Sequence, residues 1–208
     1  CPSIFCSETI SAGCRQEKQA PRIRNLTSES LIVAFGDSLT HGQGVNSEKE
    51  SYPAILQRLL KVRVVNAGIP GETSAEGLAR LPRLFSKCHP SLVILCEGGN
   101  DMLKGVDEGI TIQNLEKMID FIRAQGSDVL MIGVPRLKVP CQPAEFYAEI
   151  ALRKDVPLEN SVLAKLESMS SMKSDNIHLD EAGYAILAYR MYQVILDLQK
   201  TSSLPSTP

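Results

Sequence analysis

Residues 31–35, Leu31-Ile32-Val33-Ala34-Phe35, are an unbroken apolar run, mostly branched or aromatic. A run of this kind reads as a strand buried on both faces. It ends abruptly at Gly36, so Asp37 and Ser38 fall just past the carboxyl end of a buried strand. In open α/β sheets that edge is where ligands bind. A serine placed there is a candidate nucleophile, and it needs a partner to take its proton.

The chain downstream alternates between strand and helix. Apolar residues recur at helical spacing over Ser51 to Leu60 and over Thr73–Phe85, where Pro82 is a candidate kink. Ile110–Gln125 is amphipathic through Ile112, Leu115, Ile119 and Ile122, and Glu145–Lys154, Ser161–Met169 and Glu181–Leu198 read as further helices. Strands are expected at Val62–Asn66, Leu92–Glu97 and Asp128–Gly133, with a short fifth near Val156–Leu158. Residues 134–145, with three prolines, read as an irregular loop. Five buried-type strands separated by helices imply a parallel five-stranded sheet covered on both faces, a three-layer α/β/α, flavodoxin-like arrangement.

Bulk properties fit one such domain. The 208 residues are 43% hydrophobic and 22% charged with a net charge of −2, which suits a sizeable core and points away from nucleic acid as a partner. The longest apolar runs stop far short of the roughly 20 residues that span a bilayer. Residues 1–27 lack apolar periodicity and read as a leader or tether; 28–200 form the domain, and 201–208 a Ser/Pro-rich tail. Ser11-Ala12-Gly13-Cys14 and the polar stretch after it are similar to the end of a bacterial lipoprotein signal and its linker, with Cys1 as the rival lipid-bearing residue. An exported, periplasmic protein tethered at Cys1 or Cys14 is therefore expected, with a cytoplasmic enzyme as the alternative. The six cysteines include no CxxC pair, and with three scattered histidines no metal site is expected. No cofactor is expected either, and the chain reads as a monomer or weak oligomer.

Four loops hold the polar residues that matter: Gly36-Asp37-Ser38-Leu39, Asn66-Ala67-Gly68, Gly98-Gly99-Asn100-Asp101 and Asp175-Asn176-Ile177-His178. The first three follow predicted strands and converge on one sheet edge, and the fourth precedes the last helix and can return there. Together they gather a hydroxyl, backbone N–H groups, a carboxamide, an imidazole and a carboxylate. Acyl transfer uses those parts: a nucleophile, a base, an acid that orients the base, and donors for the developing oxyanion.

These four blocks, in this order, resemble those of the SGNH hydrolases, or GDSL esterases, over about residues 30–200. The stretch Asn66 to Ser74 and Gly77-Leu78-Ala79-Arg80-Leu81-Pro82 are similar to the second block of the bacterial arylesterase, thioesterase I and lysophospholipase L1 group. The resemblance implies the SGNH hydrolase fold, with Ser38 as nucleophile, His178 as base and Asp175 orienting the imidazole. It also implies an oxyanion hole made by the N–H groups of Ser38 and Gly68 with the amide of Asn100. The expected substrate is a small acyl ester: an aryl or short-to-medium acyl ester, a thioester or a lysophospholipid.

Plainer roles exist for each residue. Ser38 can cap a helix, Asp37 and Asp101 can be structural, Asn100 can be a turn residue, and His41 and His89 read as surface histidines. Leu137, Phe146 and Tyr147 are expected to supply apolar contact for an acyl or aryl group. A carbohydrate O-acetyl esterase is the alternative within the enzyme class, which the lack of Trp and 5% aromatic content disfavour. A nucleotide- or flavin-binding module is the remote alternative, since fold alone does not fix function; Gly42-Gln43-Gly44 lacks the third glycine of a dinucleotide fingerprint.

Overall fold

The computed structural model describes residues 21–136 and 141–200. Apolar runs become strands: β1 (Leu31–Gly36), β2 (Arg63–Gly68), β3 (Leu92–Cys96) and β4 (Asp128–Ile132). Two short strands, β5 (Pro135–Arg136) and β6 (Gln142–Pro143), pair antiparallel inside the segment expected to be irregular, and β7 (Leu158–Glu159) completes the main sheet. That sheet is parallel, in the order β2-β1-β3-β4-β7. The sequence-based expectation of a five-stranded, doubly wound sheet holds.

Between the strands lie α1 (Ser38–His41), α2 (Tyr52–Leu60), α3 (Ser74–Phe85), α4 (Gly99–Lys104), α5 (Glu108–Ala124), α6 (Glu145–Lys154), α7 (Val162–Glu167) and α8 (Glu181–Lys200). The helices pack with α2 against α8 on one face and α3, α5 and α6 together on the other. The short helices α1 and α4 carry too few residues for a periodic signal, so sequence patterning did not predict them. Pro82 sits inside α3, which continues past it to Phe85. The core consists of the two faces of β1, β3 and β4 with the apolar stripes of these helices; Ile32 to Phe35 and Leu92 to Ile94 are fully buried. At roughly 25 cal/mol per Å² of apolar surface, that burial is the main force holding the layers together.

Residues 21–27, grouped above with the leader, are packed on the domain. Ile23 is buried in the core, and Arg24 donates from its main chain and guanidinium to Asp128 at the start of β4. The remainder of the leader, including Cys1 and Cys14, and the tail at 201–208 lie outside the described residues.

Register fixes the site. Gly36 at the end of β1 lies opposite Gly68 on β2 and Cys96 on β3. The three strands therefore end level, and the loops after them emerge side by side. The chain leaves β1 toward β2 on one side and reaches β3 on the other, which makes this edge the topological switch point.

Candidate active site

Ser38 begins α1, whose preceding Asp37 accepts a hydrogen bond from the Leu39 N–H at 3.0 Å and caps the helix. Asp37 is the capping residue here; Ser38 instead faces His178. The Ser38 Oγ lies 3.0 Å from His178 Nε2, and His178 Nδ1 lies 2.7 Å from Asp175 Oδ2. Asp175 and His178 share one tight turn, because Asp175 Oδ1 accepts the N–H groups of Ile177 and His178 at 2.7 and 2.8 Å. These bonds, the His178 side chain first, hold the Asp175 carboxyl down at about 2, so it is ionised throughout the neutral range. The Asp175 side chain is 52% exposed and that of His178 12%.

Asn100 stands in the first turn of α4, just after β3. Its Nδ2 donates to Asp37 Oδ2 at 3.1 Å and to the main-chain carbonyl of Glu72 at 2.9 Å. Asp101 has the structural role that the plainer reading gave it: its carboxylate accepts the N–H and hydroxyl of Ser74 and the hydroxyl of Thr111, tying α4 to α3 and α5. Asp37 is 3% exposed, and burial raises its carboxyl to about 6.

Gly68 does not reach the cleft as expected. Its N–H donates to Asn66 Oδ1 at 3.0 Å, and a Cβ at this position would lie 2.2 Å from the main-chain nitrogen of His41. The glycine is required by close packing of β2 on α1, and its donor is already engaged. Gly71, three residues on, lines the cleft instead, at φ +79° with open space where a Cβ would project. Its N–H makes no hydrogen bond among the described residues, while its carbonyl accepts from Lys104 Nζ at 2.9 Å. The dipeptide Pro70-Gly71 was the available signal, since it marks a turn needing positive φ.

The cleft, of about 440 Å³, is lined on the catalytic side by Ser38, Gly71, Gly99, Asn100 and His178. Its apolar wall comes from Leu39, Met102, Leu103, Val134, Pro135 and Ile177, with Gln43, Arg136 and Glu167 as polar lining. Phe146 and Tyr147 were expected in this wall and are not there. They are buried at 2% and 1%, stacked on each other at 4.3 Å, and the Tyr147 hydroxyl donates to the carbonyl of Glu97. Both lie on the inward stripe of α6 and belong to the hydrophobic core. Leu137 lies outside the described residues. His41 and His89 do not line the cleft.

A family model described as the GDSL-like lipase/acylhydrolase family matches residues 34–186. The esterase TesA of Pseudomonas aeruginosa is 41% identical over 112 residues, 51% of this chain and 55% of that protein. The chain thus spans little more than half the length of that relative. The thioesterase 1/protease 1/lysophospholipase L1 of Escherichia coli (strain K12) is 31% identical over 166 residues, 74% of this chain and 77% of that protein. The crystal structure of TesA superposes with a TM-score of 0.74 at 30% identity, covering 81% of this chain and 99% of that one.

Proposed function

The chain belongs to the GDSL-like lipase/acylhydrolase family, and on that premise we propose that it hydrolyses carboxylic esters through a covalent acyl-enzyme. Ser38 Oγ attacks the acyl carbon while His178 Nε2 takes its proton. Asp175 keeps the imidazole in the tautomer with its proton on Nδ1 and stabilises the imidazolium. The carbonyl electrons move onto oxygen, where the N–H groups of Ser38 and Gly71 and the Asn100 amide receive the charge. Collapse breaks the C–O or C–S bond, and His178 returns the proton to the leaving group. Water, deprotonated by the same imidazole, then releases the acid.

The observation that supports this most directly is the continuous chain from Ser38 Oγ to His178 Nε2 at 3.0 Å and from His178 Nδ1 to Asp175 Oδ2 at 2.7 Å. The apolar wall beside it favours acyl or aryl esters, and the named relatives are an esterase and a thioesterase/lysophospholipase. Among the described residues that line the cleft there is no aromatic ring. An exported location with a tether at Cys1 or Cys14 belongs to the same proposal and rests on the N-terminal sequence. No helix among the described residues is long and apolar enough to cross a membrane.

The test is hydrolysis of p-nitrophenyl esters from acetyl to palmitoyl by the intact protein and by Ser38→Ala. Turnover that disappears in the variant supports the proposal, and its optimum chain length narrows the substrate. Equal turnover in both proteins, or none in either, rejects it.

A further inference from the structure

Resting on the ester-hydrolase reading above, we infer that Arg80 and Glu72 form a clamp that positions the oxyanion donors. Neither residue lines the cleft. Arg80, on α3, reaches back under the sheet edge. Its Nε donates to Glu72 Oε1 at 2.6 Å and its Nη2 to Glu72 Oε2 at 2.5 Å, a two-point grip that fixes orientation as well as distance. The same Nη2 donates to the Ala67 carbonyl at the end of β2 at 2.9 Å and approaches the Gly36 carbonyl at the end of β1 at 3.5 Å. The guanidinium lies 3.8 Å above the Phe35 ring.

One planar group thus ties together the last residues of two strands and the turn that follows the second. That turn is closed by Glu72 N–H donating to the Ile69 carbonyl at 3.2 Å, and it contains Gly71. The main-chain carbonyl of Glu72 is in turn one of the two acceptors of the Asn100 amide. Holding Glu72 therefore sets two proposed donors at once, the Gly71 N–H and the Asn100 Nδ2.

Energetics favour a positional role over a stabilising one. The Glu72 side chain is only 4% exposed, so removing it from water offsets much of what the ion pair returns. Beneath it, Glu97 is fully buried, with neither carboxyl oxygen hydrogen-bonded among the described residues. Desolvation, then the Asp37 charge, drives the Glu97 carboxyl well above the usual range. Glu97 makes no hydrogen bond to the guanidinium, and Arg80 keeps its two-point grip on Glu72. A lysine would keep the charge and lose the fork.

The experiment compares wild type, Arg80→Lys, Glu72→Gln and the double variant on p-nitrophenyl butyrate, with Ser38→Ala as the control. It also measures inhibition by an alkyl boronic acid, which forms a tetrahedral adduct on a catalytic serine. Each single variant should lower kcat about 10-fold or more, the scale of a misplaced catalytic group, with little change in KM. The boronate inhibition constant should rise in parallel, and the double variant should lose no more than the worse single one. A clamp without this role leaves kcat unchanged, or lowers activity with the folded fraction while the boronate constant stays fixed; either result overturns the inference. If Arg80→Lys does not fold, Glu72→Gln, which preserves side-chain volume, carries the same test. Wild-type protein without Ser38-dependent turnover overturns the ester-hydrolase reading and this one with it. Ser38-dependent turnover with unaffected variants overturns only the clamp.

Discussion

Asn100 Nδ2 donates to Asp37 Oδ2 at 3.1 Å, and its second hydrogen is held by the Glu72 carbonyl at 2.9 Å. Both hydrogens of the proposed oxyanion donor are thus engaged in the resting protein. An oxyanion must draw one of them away, and Asp37 is the acceptor bordering the cleft beside Ser38. Replacing Asn100 by Ala should lower kcat roughly 100-fold or more, the usual cost of one oxyanion donor, with a small change in KM. Steady-state kinetics on a p-nitrophenyl ester decide it: a rise in KM alone would make Asn100 a binding residue.

Asp37 carries a pH signature of its own. Burial raises its carboxyl from 3.8 to about 6, so between those pH values the folded protein holds a proton that the unfolded chain has lost. Stability from this group is full below about 3.8 and lost as pH rises through about 6. Asp37→Asn cannot ionise, so its Tm relative to wild type should be higher at pH 7.5 than at pH 4. The difference corresponds to up to roughly 3 kcal/mol at 1.36 kcal/mol per pKa unit. Activity should fall at both pH values, because the new amide cannot accept from Asn100 on the side that faces it while still accepting from Leu39. An equal Tm difference at the two pH values would mean that burial does not raise the Asp37 carboxyl.

Asp175 works in the opposite sense. Its carboxyl is held at about 2, so whatever it contributes to stability is present above about 3.8 and disappears only as pH falls toward 2. Half its side chain is exposed, and solvent can partly replace it as the acceptor for His178 Nδ1. Asp175→Ala should therefore reduce kcat by about 100-fold, short of the roughly 10⁴-fold seen when a buried triad aspartate is replaced. His178→Ala should cost more. Comparison of kcat for the two variants checks the order.

Chain-length preference should follow the residues that line the cleft. Leu103→Ala and Met102→Ala should shift the optimum along a p-nitrophenyl ester series while leaving the fold intact, since Leu103 is 52% exposed. Phe146→Ala should behave differently. Its ring is buried in the core, so truncation should destabilise the protein by about 3–5 kcal/mol with little change in preference. Paired thermal denaturation and specificity profiles separate the two behaviours, and an unchanged optimum in both lining variants would exclude this wall as the acyl site.

Gly68 and Gly71 give a comparable contrast. Gly68→Ala should lower Tm, since its Cβ would meet the His41 backbone. Gly71→Ala has room for the methyl but is strained at φ +79°, a cost of order 1 kcal/mol or more. Its main effect should be on kcat. A loss of turnover confined to Gly68→Ala, without loss of Tm, would restore Gly68 as the donor.

Sequence determined the frame of this protein. Apolar runs at 31–35, 92–96 and 129–132, alternating with helical segments, fit a parallel sheet buried on both faces, and that sheet brings the residues after each run to one edge. Ser38, Asn100, Asp175 and His178 could be singled out because the four blocks that hold them resemble, in order, those of the SGNH hydrolases. Tertiary structure decided the rest, for reasons no linear pattern carries. Which backbone N–H stays open depends on its neighbours in space: Asn66 closes off Gly68 and leaves Gly71. Which aromatic meets substrate depends on how α6 rolls on the sheet, and the roll turns Phe146 and Tyr147 inward. The Arg80–Glu72 grip joins residues eight apart to the ends of two strands, and only the folded register of β1 and β2 brings those carbonyls within reach.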